Sequence, residues 1–237
     1  MFEYVACSEK GSVREKNEDR VMVNNTVISD GLLSGVKEND FIAVVCDGVG
    51  GTDGGEIAAE MVASGFVGYD VEKASAYSLY HHFQSINSSV MDAQSRMPGY
   101  GKMASTVAGI MFCKNRFLLF NLGDTRIYEI KGDSILKKTQ DHIFEDNMGK
   151  QHGALTRYIG GYGHACNPRI VKGSISDEER CFLICSDGIY KKIPDEVLRE
   201  ILISKDSLDE KKRAILNLSI QNGSTDDKSI VLVKYTS

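Results

Sequence analysis

Two stretches of this chain end an apolar strand on the same dipeptide, and that limits what the chain can fold into. Phe41–Cys46 is an unbroken apolar run rich in β-branched residues, the pattern of a strand covered on both faces. It stops at Asp47-Gly48, with Gly50-Gly51 just beyond. Cys181–Cys185, followed by Ser186-Asp187-Gly188, repeats the device. An acid at the end of a buried strand, before a backbone free to turn sharply, can aim a carboxylate and a carbonyl at one cation. Two such strands predict a sheet that brings both acids to one shared metal site.

The remaining pattern supplies layers for that sheet. Tyr4–Ser8 and Arg20–Asn24 read as short strands, and residues 25–40 as a loop with Gly31, Ser34, Gly35 and Asn39. Gly55–Val67 has Ile57, Met61, Val62 and Phe66 at helical spacing. A longer helix is predicted over Ala74–Met97, where Tyr77, Tyr80, Phe83, Ile86 and Val90 recur in steps of three and four. Ser105–Cys113, Arg116–Leu122, Arg126–Ile130 and Ser134–Lys138 read as a meander of hairpins, and residues 140–165 as irregular. Strands at Arg169–Ser174 and Cys181–Ser186 precede two helices, Pro194–Ser204 and Ser207–Asn222, the latter with Ala214, Ile215 and Leu218 on one face. Ser229–Tyr235 is the last strand. With no repeat or low-complexity linker, residues 1–237 read as one domain of the α+β class, a layered sandwich.

Composition excludes several partners. The net charge is −5, with no long block of like charge. Nucleic acid and anionic lipid both call for a basic footprint, so neither is expected. No apolar run approaches the ~20 residues of a spanning helix, and MFEYVACSEK lacks the succession of a signal peptide. The six cysteines lie mostly inside apolar runs without a Cys-x-x-Cys pair, as expected for reduced thiols in a cytoplasmic protein.

Acids cluster beside the strands at Glu18-Asp19, Asp47, Asp187 and Asp226-Asp227, with Asp124 as a fifth position. Any one of them could be a turn former or a cap. As a set, hard oxygen donors without His or Cys suit Mg2+ or Mn2+ rather than zinc. Gly-Val-Gly-Gly-Thr-Asp-Gly-Gly does not complete a nucleotide-binding loop, because Asp53 takes the third glycine position. An EF-hand fails at Val49, where its second acidic ligand would stand.

Eight blocks in order now carry a resemblance: SVREKNEDR (12–20), CDGVGGTDGGEIAA (46–59), STVAG (105–109), NLGDTRIY (121–128), TQDH (139–142), LTRYIGG (155–161), CSDGI (185–189) and STDDKSIVLV (224–233). The chain resembles the metal-dependent serine/threonine protein phosphatases of type 2C, in their compact bacterial form. The resemblance implies a four-layer αββα sandwich, two antiparallel sheets flanked by helix pairs, with a binuclear Mn2+ or Mg2+ centre at one end. On that pattern Asp47 would bridge two ions, the Gly48 carbonyl would complete one shell, and Asp187 and Asp226 the other. Glu18 would hold metal-bound water, with Asp19 and Thr106 supporting the shell, and Arg14 would grip the phosphate. Asp124 matches an acid that holds a third ion with Asp187 in bacterial relatives.

The reaction implied is hydrolysis of phosphoserine and phosphothreonine in proteins modified by a bacterial Ser/Thr kinase, by a monomer. Uncatalysed phosphate monoester hydrolysis is slow enough to call for acceleration of up to ~10²¹-fold, which paired cations can serve without a nucleophilic side chain. Val49 stands where animal relatives have a histidine that protonates the leaving group, and Lys191 where they have an acid. Asp227 replaces the usual Asn, a change expected to be unimportant if Asp226 alone is the ligand, and the segment from His142 to Leu155 is shorter than the flap of bacterial relatives. His81-His82 are expected at the surface, His142 as a structural hydrogen-bonder, and His152 and His164 in loops. The competing function is a catalytically silent phosphoprotein-binding scaffold, a class that usually loses the metal carboxylates retained here.

Overall fold

Burial on both faces does make Phe41–Asp47 a central strand, and its alternation sorts the whole molecule. Ile42, Val44 and Cys46 pack into one core, while Phe41, Ala43 and Val45 point into another. A computed structural model describes residues 1–49, 53–146, 151–175 and 179–236. Gly50 and Gly51 fall outside the described residues, as do the side chains of His152 and His164.

In chain order the elements begin with β1 (Phe2–Glu9), β2 (Asp19–Val23), β3 (Thr26–Ile28), β4 (Gly31–Lys37) and β5 (Phe41–Asp47), then helices α1 (Gly55–Gly65) and α2 (Ala76–Arg96). Strands β6 (Val107–Cys113), β7 (Arg116–Leu122), β8 (Arg126–Lys131) and β9 (Ser134–Lys137) follow, with a small hairpin of β10 (Ile143–Glu145) and β11 (Gln151–Leu155). The last part holds β12 (Arg169–Ser174), β13 (Arg180–Cys185), the one-turn α3 (Asp187–Tyr190), α4 (Asp195–Ile203), α5 (Leu208–Gln221) and β14 (Lys228–Tyr235).

Two six-stranded sheets form among the described residues, ordered β4-β1-β14-β13-β8-β9 and β12-β7-β6-β5-β2-β3. Each neighbouring pair is antiparallel. Phe2, Phe41, Phe112, Phe117 and Phe182 fill the space between the sheets. Helices α1 and α2 cover the second sheet through Val62, Phe66, Leu79 and Phe83, and α4 and α5 cover the first through Leu198, Leu202, Ile215 and Leu216. This is the four-layer αββα sandwich that the resemblance implied. Ser75 and Ser207 start α2 and α5 with reciprocal capping bonds to Ser78 and Glu210, which satisfy otherwise orphaned N–H groups.

Several expectations need correction. Residues 25–40 are mainly strand: β3 and β4 are edge strands, and Leu32 and Val36 stay more than half exposed, so no apolar run announces them. The meander is two separate hairpins, because β7 and β8 lie in different sheets and Gly123-Asp124 carries the chain across between them. The irregular segment after residue 140 contains the β10–β11 hairpin. On α2 the buried stripe is Leu79, Phe83, Ile86, Asn87 and Val90, whereas Tyr77 is 76% exposed. On α5, Ala214 faces solvent and Leu216 takes its place in the core. His82 is half-buried between Phe66 and Tyr69, with Nε2 2.9 Å from the Gly65 carbonyl.

All six cysteines are free thiols, five of them buried. Among the described residues no helix is long and apolar enough to cross a membrane.

Candidate active site

Strand register gathers the expected acids at one end of the sandwich. Asp19 opens β2 directly opposite Asp47, which closes β5. The start of β6 pairs with the end of β7, just before Asp124, while Cys185 at the end of β13 pairs with both Arg126 and Ile230. Asp187 and the Asp226-Asp227 turn belong to the other sheet from Asp47, not to one shared sheet as expected, and the packing of the two sheets brings all of them to one cleft. Arg14, Asp47, Thr106, Asp124, Asp187, Lys191 and Asp226 line one cleft of about 500 Å³, with Val49 and Gly153–Leu155 on its far wall. Glu18 stands at the rim, in a neighbouring hollow, and Asp19 lies behind, 1% exposed.

The backbone around Asp47 is fixed from the next strand. Its N–H donates to Thr106 Oγ1 (3.2 Å), and its carbonyl accepts from Thr106 N (2.8 Å) and Ser105 Oγ (3.1 Å). Thr106 Oγ1 in turn meets Thr125 Oγ1 at 2.6 Å. A Cβ on Gly48 would lie 2.5 Å from the Gly55 carbonyl, so only glycine lets the chain turn here. The carboxyl of Asp47 is held well above the usual range by burial, reinforced by the charges of Asp19, Asp187, Asp124 and Asp226.

Cationic side chains hold the two flanks. Arg14 Nε donates to Asp226 Oδ1 (2.8 Å) and Nη1 to Glu18 Oε2 (3.2 Å). Lys191 Nζ, one turn after Asp187 on the same chain direction, donates to Asp187 Oδ2 (2.6 Å). Asp124, 8% exposed, accepts from the Tyr190 hydroxyl (3.2 Å); burial and the charge of Asp187 raise its pKa, while Lys191 and Tyr190 lower it. With Asp226 turned to Arg14 and Asp187 to Lys191, no three Asp, Glu, His or Cys side chains among the described residues are already grouped to hold an ion.

The donor chemistry nonetheless fits a hard divalent cation. The central carboxylate faces four like charges and no protein cation among its main influences, a costly arrangement unless a counter-ion compensates.

Three contributors are not among the expected site residues. Asp227 is 3% exposed and accepts from Gly11 N and Glu18 N, both at 2.7 Å. It pins the loop that carries Arg14 and Glu18 with both oxygens, so its identity matters even where Asp226 alone serves as the ligand. Ser186 donates to Asp19 Oδ2 (2.7 Å) and accepts from Ser229 N (2.9 Å). Tyr190 tethers Asp124. Only the Asp-Asp pair in STDD was a visible signal, because Ser and Tyr occupy ordinary turns and cores as well.

His142 acts as the hydrogen-bonder expected. Its Nδ1 accepts from Gly123 N (3.1 Å) and its own N–H donates to the Gly123 carbonyl (3.0 Å), fixing the crossover before Asp124. Burial, then the charge of Arg157, push its pKa down to about 4. The unfolded chain therefore binds this proton more readily than the fold does. The stability lent by the neutral ring is complete above pH ~6.5 and is lost as pH falls toward about 4. Urea unfolding across that window should show a steeper loss in the wild type than in His142→Asn, and equal slopes would refute this.

Residues 20–215 match the family described as protein phosphatase 2C. The chain belongs to the protein phosphatase 2C family. Among curated relatives, this phosphatase 2C chain is 27% identical to the serine/threonine phosphatase stp of Listeria welshimeri, over 96% of its own length and 93% of that protein. It is 24% identical to the serine/threonine protein phosphatase PstP of Mycobacterium tuberculosis, covering 98% of itself but 45% of PstP, so it spans less than half of that relative. Among solved structures, Stp1 of Staphylococcus aureus superposes with a TM-score of 0.84 at 21% identity, covering all of this chain and 96% of that one. The catalytic domain of PstP in complex with two manganese ions gives 0.82 at 22% identity, with both chains fully covered.

Proposed function

We propose that this phosphatase 2C family member hydrolyses phosphoserine and phosphothreonine monoesters in proteins, using two Mn2+ or Mg2+ ions held in the carboxylate cleft. The described fold would serve as one catalytic domain, and its substrates would be products of a Ser/Thr kinase. The observation that carries this reading is the convergence of Asp47, Asp124, Asp187 and Asp226, from four separate connections, on one cleft with Arg14.

Asp47 would stand between the ions, the Gly48 carbonyl on one side, Asp187 and Asp226 on the other. Bound there, such ions act as Lewis acids that generate a nucleophile from water and neutralise phosphoryl oxygens. The chain itself does the positioning. Asp226 takes the Nε and Nη2 sides of the Arg14 fork and Glu18 takes Nη1; a guanidinium has five N–H donors, so two remain for phosphate oxygens. Asp19 supports Asp47 across the β2–β5 pair, and Thr106 holds its backbone. Val49 has no proton to give, so a water or another group in the cleft would protonate the leaving oxygen.

The reading assigns two ions rather than three. On the Asp124 side, the Lys191 ammonium already lies 2.6 Å from Asp187 and its charge lowers the pKa of Asp124. A positive charge there opposes a further cation.

Metal-stripped protein titrated calorimetrically with Mn2+ should take up two ions per chain. Hydrolysis of p-nitrophenyl phosphate should fall by about a thousandfold in EDTA and return with Mn2+. Turnover undiminished by EDTA would overturn the function, and uptake of three ions would overturn the role given to Lys191.

A further inference from the structure

The two sides of the cleft differ in chemistry. The hollow on the Glu18 side carries Glu15, Glu18, Asp53 and Glu56. By contrast, Val49 and Leu155 line both the cleft and a second cavity of about 420 Å³. The rest of that cavity is formed mainly by Ala104, Tyr158 and Tyr162, with Lys102 at its edge and no acid on its wall. Tyr162 is 81% exposed, a large aromatic surface at the mouth.

Buried polar groups are spent on shaping this wall. Asn87, on the core side of α2 and 7% exposed, donates to the Gly161 carbonyl (3.0 Å) and accepts from Gly160 N (2.7 Å). Gln94, two turns further along α2, donates to the Gly160 carbonyl (2.9 Å) and to the Met103 carbonyl (2.8 Å). Ile159 and Ser105 exchange backbone bonds of 2.9 and 3.1 Å. These backbone groups of the wall thus find partners within the protein, and the surface facing the cavity is mostly apolar. A concave, apolar, preformed space is what a ligand side chain uses.

We propose that this cavity is a substrate subsite, receiving an apolar side chain next to the phosphorylated residue of the protein substrate. The proposal rests on the hydrolase reading, which places the phosphoester among Asp47, Asp187 and Asp226. Successive Cα atoms are about 3.8 Å apart, so a residue flanking the phosphorylated one emerges at the wall that Val49 and Leu155 share between the two spaces. A leucine, methionine or phenylalanine there exchanges water for Tyr158, Tyr162 and Leu155. An aspartate would lose hydration against a wall that offers it only Lys102 at the edge. The substrates selected are therefore phosphorylated segments with apolar neighbours.

The test compares phosphothreonine peptides flanked on both sides by Leu, Gly or Asp, with p-nitrophenyl phosphate as a substrate too small to reach the cavity. Gly101 lines the cavity, and a Cβ there meets nothing within 4 Å, so Gly101→Leu adds bulk at the cavity wall without a backbone clash. Tyr162→Ser removes the aromatic wall. Wild type should show a KM for the Leu peptide about fivefold below that for the Gly peptide. Both variants should erase that advantage while leaving kcat and p-nitrophenyl phosphate turnover as they were. Equal KM for the three peptides, a preference for Asp, or variants that slow p-nitrophenyl phosphate turnover would overturn the subsite. Were p-nitrophenyl phosphate untouched by the Mn2+-loaded wild type, the hydrolase reading would fall. Fluorescence anisotropy with the same peptides would then decide the cavity separately, the same order of affinities supporting it and no order refuting it.

Discussion

Asp47→Asn will lower Mn2+-dependent hydrolysis of p-nitrophenyl phosphate by about a thousandfold or more, yet raise the melting temperature of the metal-free protein. The two effects have one cause. The Asp47 carboxylate is placed by backbone bonds to Thr106 and Ser105 that do not involve its side chain, so an amide of the same shape leaves the turn intact. What disappears is a negative charge set among Asp19, Asp187, Asp124 and Asp226. With ions bound, Asp47 would be among the residues that hold them. Without ions the site favours the neutral carboxyl, so keeping a carboxylate there at neutral pH costs stability that an amide does not. For a chain of this size each kcal/mol gained raises the melting temperature by about 2–4 °C. Activity within tenfold of wild type would remove Asp47 from the centre of the mechanism. A lower melting temperature in EDTA would show that the carboxylate has a structural role instead.

That opposition between function and stability explains why this part of the molecule was legible from sequence. Strands covered on both faces need continuous apolar runs, so an acid at the end of one stands out, as Asp47 and Asp187 do. The two flat, half-wet edges gave no such contrast. In β4 the exposed Leu32 and Val36 sit beside Ser34 and Gly35, and the strand is held by its ladder to β1 rather than by burial. The passage from β7 to β8 was misread for another reason. A turn of Gly123-Asp124 looks the same whether it closes a hairpin or crosses between sheets, and only the partners of β8, namely β13 and β9, decide which. On α2, tyrosines and leucine share the same helical period, and Tyr77 and Tyr80 are the members that reach solvent. Within the site, the acids were legible but their neighbours were not. Lys191 is set against Asp187 by one helical turn, whereas Asp227 reaches Gly11 across more than two hundred residues of chain.

Gly188→Ala is expected to be the most damaging single-methyl change in the chain's catalytic end, costing about 3 kcal/mol or more. A Cβ at this position would lie 2.0 Å from the Asp227 carbonyl oxygen and 3.4 Å from the Asp226 Cβ. Neither obstacle is a flexible side-chain tip. Ser186 N donates to the Ser229 carbonyl (3.0 Å), Ser229 N to Ser186 Oγ (2.9 Å), and Ser224 Oγ to the Gly188 carbonyl (2.6 Å). These bonds continue the β13–β14 ladder past Cys185 and Ile230 into the two loops that carry Asp187 and Asp226. Relieving the overlap therefore means prying those loops apart, and with them the two carboxylates. The melting temperature should fall by about 6–12 °C, and the fraction that stays folded should bind Mn2+ more weakly in calorimetry. Gly101→Ala is the matched control: its Cβ meets nothing within 4 Å, so its stability should stay within about 0.5 kcal/mol of wild type. If the two variants melted together, the close approach of these loops would not be what sets the spacing of Asp187 and Asp226.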